Sequence, residues 1–162
     1  MKAQHSKRHL AREAALQILY SYDLALESTS KPYPTGEALA KDLVKHFEHF
    51  RVSEESRAFA GELVSGTLAR TSELDQTLEK HAKNWKLSRM AYIDRNLLRM
   101  AACELIHHTG TPTTVVIDEA VELAKQFGTL DSSAFVNGIL DSIRIELGRV
   151  DPPVGESSKN GR

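Results

Sequence analysis

Apolar residues recur at helical spacing through most of the chain, and breaks carrying proline, glycine or capping residues cut the pattern into segments. Ala11, Ala15, Ile18, Leu19, Tyr22, Ala25 and Leu26 share one face, predicting a helix from about residue 7 to about residue 26. Pro32 and Pro34 make residues 28–36 a loop, because proline cannot continue a helix. Leu39, Leu43 and Phe47 mark a second helix over about 37–50. Ser53, followed by Glu54 and Glu55, has the chemistry of an N-cap and first turn, and its helix carries Phe59, Leu63 and Thr67. Ser72 and Asp75 resemble a capping box that opens a short helix presenting Leu74, Leu78, Ala82 and Trp85.

Ser88 can cap the next segment, whose inward face is Ile93, Leu97, Met100, Ala101 and Leu105. Gly110 and Pro112 end it. Thr113 or Thr114 then starts a helix with Ile117, Ala120, Val121, Ala124 and Phe127, stopped by Gly128. Asp131 caps the last helix, with Phe135, Val136, Ile139, Leu140, Ile143 and Leu147 in its stripe. The expectation is an all-α fold of about seven helices, with residues 149–162, rich in Pro, Gly and Ser, as a disordered tail.

A chain of 162 residues can bury a core without staples, and its single cysteine, Cys103, rules out an internal disulfide. No apolar run is long enough to span a bilayer, and the basic start lacks a signal peptide's apolar stretch, so a cytoplasmic protein with no membrane contact is expected. Phosphate-binding glycine loops, nucleotide fingerprints and nucleophile elbows are missing, which argues against an enzyme and against a cofactor. Cys103 with His107, and Glu104 with His108, are spaced to share a helix face. Zinc needs three or four convergent ligands, and no second cluster supplies them, so no metal is expected.

The net charge of −1 argues against indiscriminate nucleic-acid binding, but the charge is unevenly placed. Lys2, Lys7, Arg8 and Arg12 all precede the first acidic residue, Glu13, with His5 and His9 among them. Arg8 and Arg12 are one turn apart, so their guanidinium groups leave the same helix face, suited to phosphates and bases. Lys7 and His9 flank them. A solvated, frayed terminus accounts for the same charges equally well.

Three stretches then resemble the NusB family: RHLAREAALQILYSYDL at the start, WKLSRMAYIDRNLLRMAACEL in the middle and VIDEAVELAKQFGTLDSSAFVNGILD near the end. The resemblance implies two three-helix bundles packed roughly perpendicular, within a domain over 1–148 divided into about 1–82 and 83–148. It implies a transcription antitermination factor that binds boxA-type single-stranded RNA with the ribosomal protein NusE. Through that complex it would meet other Nus factors and RNA polymerase on ribosomal RNA operons. By matching positions, Lys7, Arg8, His9 and Arg12 fall in the RNA-binding start, Asp131 and Phe135 in a second RNA-contacting region, and Tyr20 and Asp94 on the NusE side.

Several of these have plain structural uses as well. Phe135 fits the core stripe, Asp131 is a good N-cap, and Asp94 can pair with Arg95 or Arg99. His9 and Leu10 stand where some relatives carry arginine, which thins the basic patch. The rival functions are a protein-binding helical adaptor and a domain like those attached to ribosomal-RNA cytosine methyltransferases.

Overall fold

The computed structural model describes residues 6–151; Lys2, His5 and the tail from residue 152 onward lie outside the described residues. Seven α-helices and one short 3-10 turn follow in order, with no strand among the described residues: α1 (Lys7–Thr29), α2 (Gly36–His49), α3 (Glu54–Ala69), α4 (Thr71–His81), the turn Leu87–Arg89, α5 (Tyr92–His107), α6 (Thr113–Phe127) and α7 (Ser132–Leu147).

α5 is the centre of the molecule. Every residue from Arg95 to Leu105 is buried, so this helix has no solvent face, unlike the one-sided helix that its spacing predicted. It packs against α1, α3, α4, α6 and α7. α1 lies along it and contributes Leu16, Ile18 and Leu19, all essentially out of solvent. The two run antiparallel: Arg12 meets Glu104, while Asp23 meets Arg95 and Asn96. α4 packs chiefly on α5 and α7, so packing partners change between α3 and α4, ahead of the expected division near residue 82. One continuous apolar core joins both halves.

Several caps differ from expectation. The short fourth helix begins at Thr71 with no side-chain cap, and it ends at His81, short of Trp85. Asp75 is not part of a capping box there; it accepts two hydrogen bonds from the Arg99 guanidinium, at 2.7 and 2.9 Å. Ser88 sits inside the 3-10 turn, and α5 starts only after Ala91. Asp131 occupies the N-cap position of α7 without a capping hydrogen bond. Gly148 ends α7 in the left-handed region, at φ 58°, as a glycine stop does.

Residues 149–151 do not belong to a disordered tail. Arg149 donates to the carbonyls of Leu105 and Thr111, at 2.9 and 2.6 Å. The Asp151 carboxylate accepts from the Thr113 backbone N–H at 2.8 Å and from its hydroxyl at 2.6 Å, capping α6 from a distant point in the sequence. The sequence rule looked for a cap next to the helix and so passed over this one.

Candidate nucleic-acid interface

The start of α1 is capped by Ser6, whose Oγ accepts from the His9 N–H at 3.1 Å. Lys7 is exposed and reaches Glu55 at 2.8 Å. Arg8 is exposed too, with its guanidinium 4.2 Å from the centre of the Phe59 ring. One turn on, the environment reverses. Arg12 is 3% exposed, and its fork donates to both oxygens of Glu104, at 2.8 and 2.6 Å. Glu104 is itself 1% exposed. His9 is also buried, with Nδ1 2.5 Å from Glu119 of α6.

The expectation that Arg8 and Arg12 together face a nucleic-acid strand is therefore corrected. They do share a face, since Arg12 also lies over Phe59, 5.2 Å from the ring centre. But α1 slides between α3 and α5, and that face is covered at Arg12 while it is open at Arg8. A buried Arg–Glu pair is costly to break, about 3–5 kcal/mol for loss of one partner, because the other charge is then stranded in low dielectric. Arg12 and His9 fasten the helix; of the four expected residues, Lys7 and Arg8 remain at solvent.

The other end of α5 is built differently. Trp85 lies outside the core, 56% exposed, and meets half-buried Phe135 edge to face with ring centres 5.6 Å apart. Arg95 holds this segment in place by donating to the Leu87 carbonyl at 3.1 Å. From the opposite side, residues 128–131 fold tightly onto the start of α7. Ser132 Oγ accepts from the Thr129 N–H at 2.9 Å. A Cβ on Gly128 would come within 2.5 Å of that Oγ and 2.7 Å of the Ala124 carbonyl, so only glycine fits.

Between these two segments lies a cleft of about 380 Å³, lined among others by Trp85, Arg89, Asp94, Asp131 and Phe135. Lys83 and Lys86 stand beside it, exposed, around Trp85. Exposed aromatic faces among cations are what a single strand of nucleic acid needs: bases stack on the rings while phosphates meet the charges. Asp94 does not pair with Arg95 or Arg99. Both arginines are engaged elsewhere, Arg95 with Asp23 and Glu27 and Arg99 with Asp75. Asp94 instead lines the same cleft as Asp131 and Phe135.

Burial disfavours the charge on Arg95, but the hydrogen bonds it donates to Glu27 and Asp23 outweigh it and hold its pKa above the ordinary guanidinium value. Asp23 is buried and also accepts from Asn96 at 2.8 Å. This network fixes α1, α4 and the turn before α5 against one another. Next to it, Tyr20 and Tyr92 pack edge to face at 6.0 Å on the outer side.

The two regions are not one patch. Glu104, which holds Arg12, and Asp94, which lines the cleft, are ten residues apart on α5, or about 15 Å along its axis. The sequence reading missed Trp85, Lys83, Lys86 and Arg89, having put Trp85 on an inward helical face. The signal was available: residues 83–89 interleave three cations with a tryptophan. Elsewhere, Cys103 is buried, which pushes its thiol pKa up, and His107 turns outward to Glu73. Among the described residues, no three His, Cys, Asp or Glu side chains converge to hold a metal, and no helix is long and apolar enough to cross a membrane.

The family pattern of NusB matches residues 9–144, nearly all of the described chain. The chain belongs to the NusB family. It is 43% identical over 142 residues to the transcription antitermination protein NusB of Elusimicrobium minutum, covering 86% of this chain and 94% of that protein. It is 40% identical to the NusB of Myxococcus xanthus, covering 88% and 97%. Among solved structures, T. maritima NusB superposes with a TM-score of 0.70 at 26% identity, covering 96% of this chain and 99% of that one. A structure of antitermination factors NusB and NusE in complex with double-stranded RNA superposes with a TM-score of 0.71 at 27% identity, covering 86% and 97%.

Proposed function

We propose that this chain is a transcription antitermination factor that binds boxA-type single-stranded RNA together with NusE and so supports RNA polymerase on ribosomal RNA operons. It works in the cytoplasm by assembly, without catalysis. The observation that carries the reading is exposed Trp85 against half-buried Phe135 with Arg89, Lys86 and Lys83 around them, on a fold whose relatives are antitermination proteins. Bases stack at this cleft, and Asp131 stands at its edge.

Lys7 and Arg8 form a second, outlying cationic contact, which a strand several nucleotides long would reach across the surface. His9 and Arg12 position that contact without touching RNA. NusE occupies the adjoining side marked by Tyr20 and Asp94, where the Tyr20 ring packs on Tyr92 as α1 passes the start of α5.

The test is a fluorescence-anisotropy titration of boxA-like and scrambled RNA, with and without NusE, at several salt concentrations. Preference for the boxA-like strand, stronger with NusE and weaker in high salt because phosphate contacts release counterions, is expected. Equal binding to both strands would point to a protein-binding adaptor instead.

A further inference from the structure

Two carboxylates fasten the start of α1, and they belong to different helices. Glu104 of α5 holds the Arg12 guanidinium, while Glu119 of α6 lies 2.5 Å from His9 Nδ1 and 3.9 Å from Arg12. The seating of α1 therefore depends on how α5 and α6 are placed against each other. The corner between those two helices is tied by residues from beyond α7. Arg149 donates to Leu105, the residue after Glu104, and to Thr111, just ahead of α6. Asp151 accepts from both the N–H and the hydroxyl of Thr113, the first residue of α6. Pro112, in the N-cap position, makes no side-chain cap, so Asp151 is the carboxylate that meets the positive end of this helix.

We propose that residues 149–151 act as a clasp that sets, through α6, how firmly the cationic start of α1 is held for RNA. This rests on the reading of Lys7 and Arg8 as an RNA contact and adds to it what positions them. Glu119 lies six residues beyond Thr113, about 9 Å along the axis, near enough to be displaced when the first turn of α6 frays. Loss of Asp151 frees that turn, the Glu119 carboxylate loses its fixed place, and His9 is no longer pinned. Lys7 and Arg8 stand on the turn of α1 that His9 anchors. A contact ordered before binding loses less entropy on binding, so a loosened turn holds RNA more weakly. Arg149, Asp151 and Glu119 are positioning residues; none of them touches the strand.

The clasp is built to let go. Arg149 Nε is buried and donates to no described residue, so release restores its hydration. α3 holds the same turn of α1 independently: Ser56 Oγ donates to the Lys7 carbonyl at 3.0 Å, and Glu55 meets the Lys7 ammonium at 2.8 Å. Release therefore loosens the start of α1 without detaching it.

The experiment compares the full wild-type chain with Asp151→Ala, Glu119→Ala and the double variant, by amide hydrogen exchange and by RNA anisotropy with NusE present. In Asp151→Ala, exchange should quicken about fivefold at the first bonded amides of α6, from Val116 on, the ratio for one lost helix cap. It should quicken about threefold at the first bonded amides of α1, from Leu10 on, with α2 and α4 unchanged. Glu119→Ala should quicken the α1 amides alone. In the double variant the α1 amides should exchange no faster than in Glu119→Ala, because the route from Asp151 is already cut. RNA affinity should fall about threefold in all three variants.

A change confined to α6 in Asp151→Ala makes the cap local and overturns the proposal. An even rise across all helices marks lost global stability and overturns it too, as does a further rise at α1 in the double variant. Should Asp151→Ala fold poorly, Asp151→Asn makes the same comparison with the side chain's shape kept. The expected exchange pattern with unmoved RNA affinity would uphold the clasp and overturn Lys7 and Arg8 as an RNA contact.

Discussion

The two ends of α5 carry the same kinds of residue and use them in opposite ways. At the C-terminal end, basic residues from α1 are turned inward: Arg12 locks onto Glu104, and His9 is held by Glu119. At the N-terminal end, Arg95 and Arg99 are buried in the same fashion, but a second layer of cations and an indole stay outside them. Arginine content alone therefore does not locate a nucleic-acid site. What separates a structural arginine from an available one is whether a neighbouring carboxylate already holds the guanidinium. A satisfied, buried pair contributes rigidity and has no free donor for phosphate, whereas Arg89 beside Trp85 is open to one.

The largest effect that tests this contrast is on stability. Arg12→Ala should lower the unfolding free energy by about 3–5 kcal/mol, seen as an earlier urea midpoint, because Glu104 is left charged and buried. A fully stable Arg12→Ala protein with impaired RNA binding would mean that Arg12 acts at the surface, and the two ends would no longer differ. Next comes Trp85→Ala, for which RNA binding should weaken by about 1–3 kcal/mol, the scale of one lost base stack. Its urea midpoint should stay close to wild type, since over half of the indole is at solvent. Loss of stability without loss of affinity would make Trp85 a packing residue and remove the platform.

Asp151→Ala should cost about 1 kcal/mol of stability at neutral pH, the usual value of a helix cap. The hydrogen bonds from the Thr113 hydroxyl and backbone N–H hold the Asp151 pKa below the ordinary aspartate value. Its contribution is therefore complete above the unfolded-state carboxylate range and disappears as pH falls through the depressed folded value. Wild-type and variant midpoints should converge in strong acid; a gap that persists there would show that the carboxylate charge is not what stabilises α6. The smallest effect belongs to Arg8→Ala. It should reduce RNA affinity slightly and flatten the salt dependence by about one unit of slope, with the urea midpoint unchanged. An unaltered salt slope would remove the arginine-rich end from the interface altogether.

Much of the fold was legible because helical periodicity is a local property. The starts of α1 and α6 and the glycine stops at 128 and 148 all follow from which residues sit three and four apart and which can end a turn. The misses share one cause. Spacing says that Arg8 and Arg12 lie on the same face, but not that a neighbouring helix covers one turn of that face and leaves the other bare. It groups Trp85 with Leu78 and Ala82 by periodicity, though the helix ends at His81 and the indole swings out beyond it. It assigns a charged residue to the surface by default, although Arg95, Arg99 and Glu104 are tied up inside by partners far away in the chain.

The order and type of the helices, and membership in the NusB family, were therefore decided by residue identities read along the chain. Which cations are spent on internal pairs, which aromatic ring is left outside, and that Asp94 lines one cleft with Phe135 were decided only when α1, α5 and α7 came together. The reason is that desolvation and pairing depend on three-dimensional neighbours. A charge buried against its counter-ion and a charge free to meet phosphate are the same letter in the sequence.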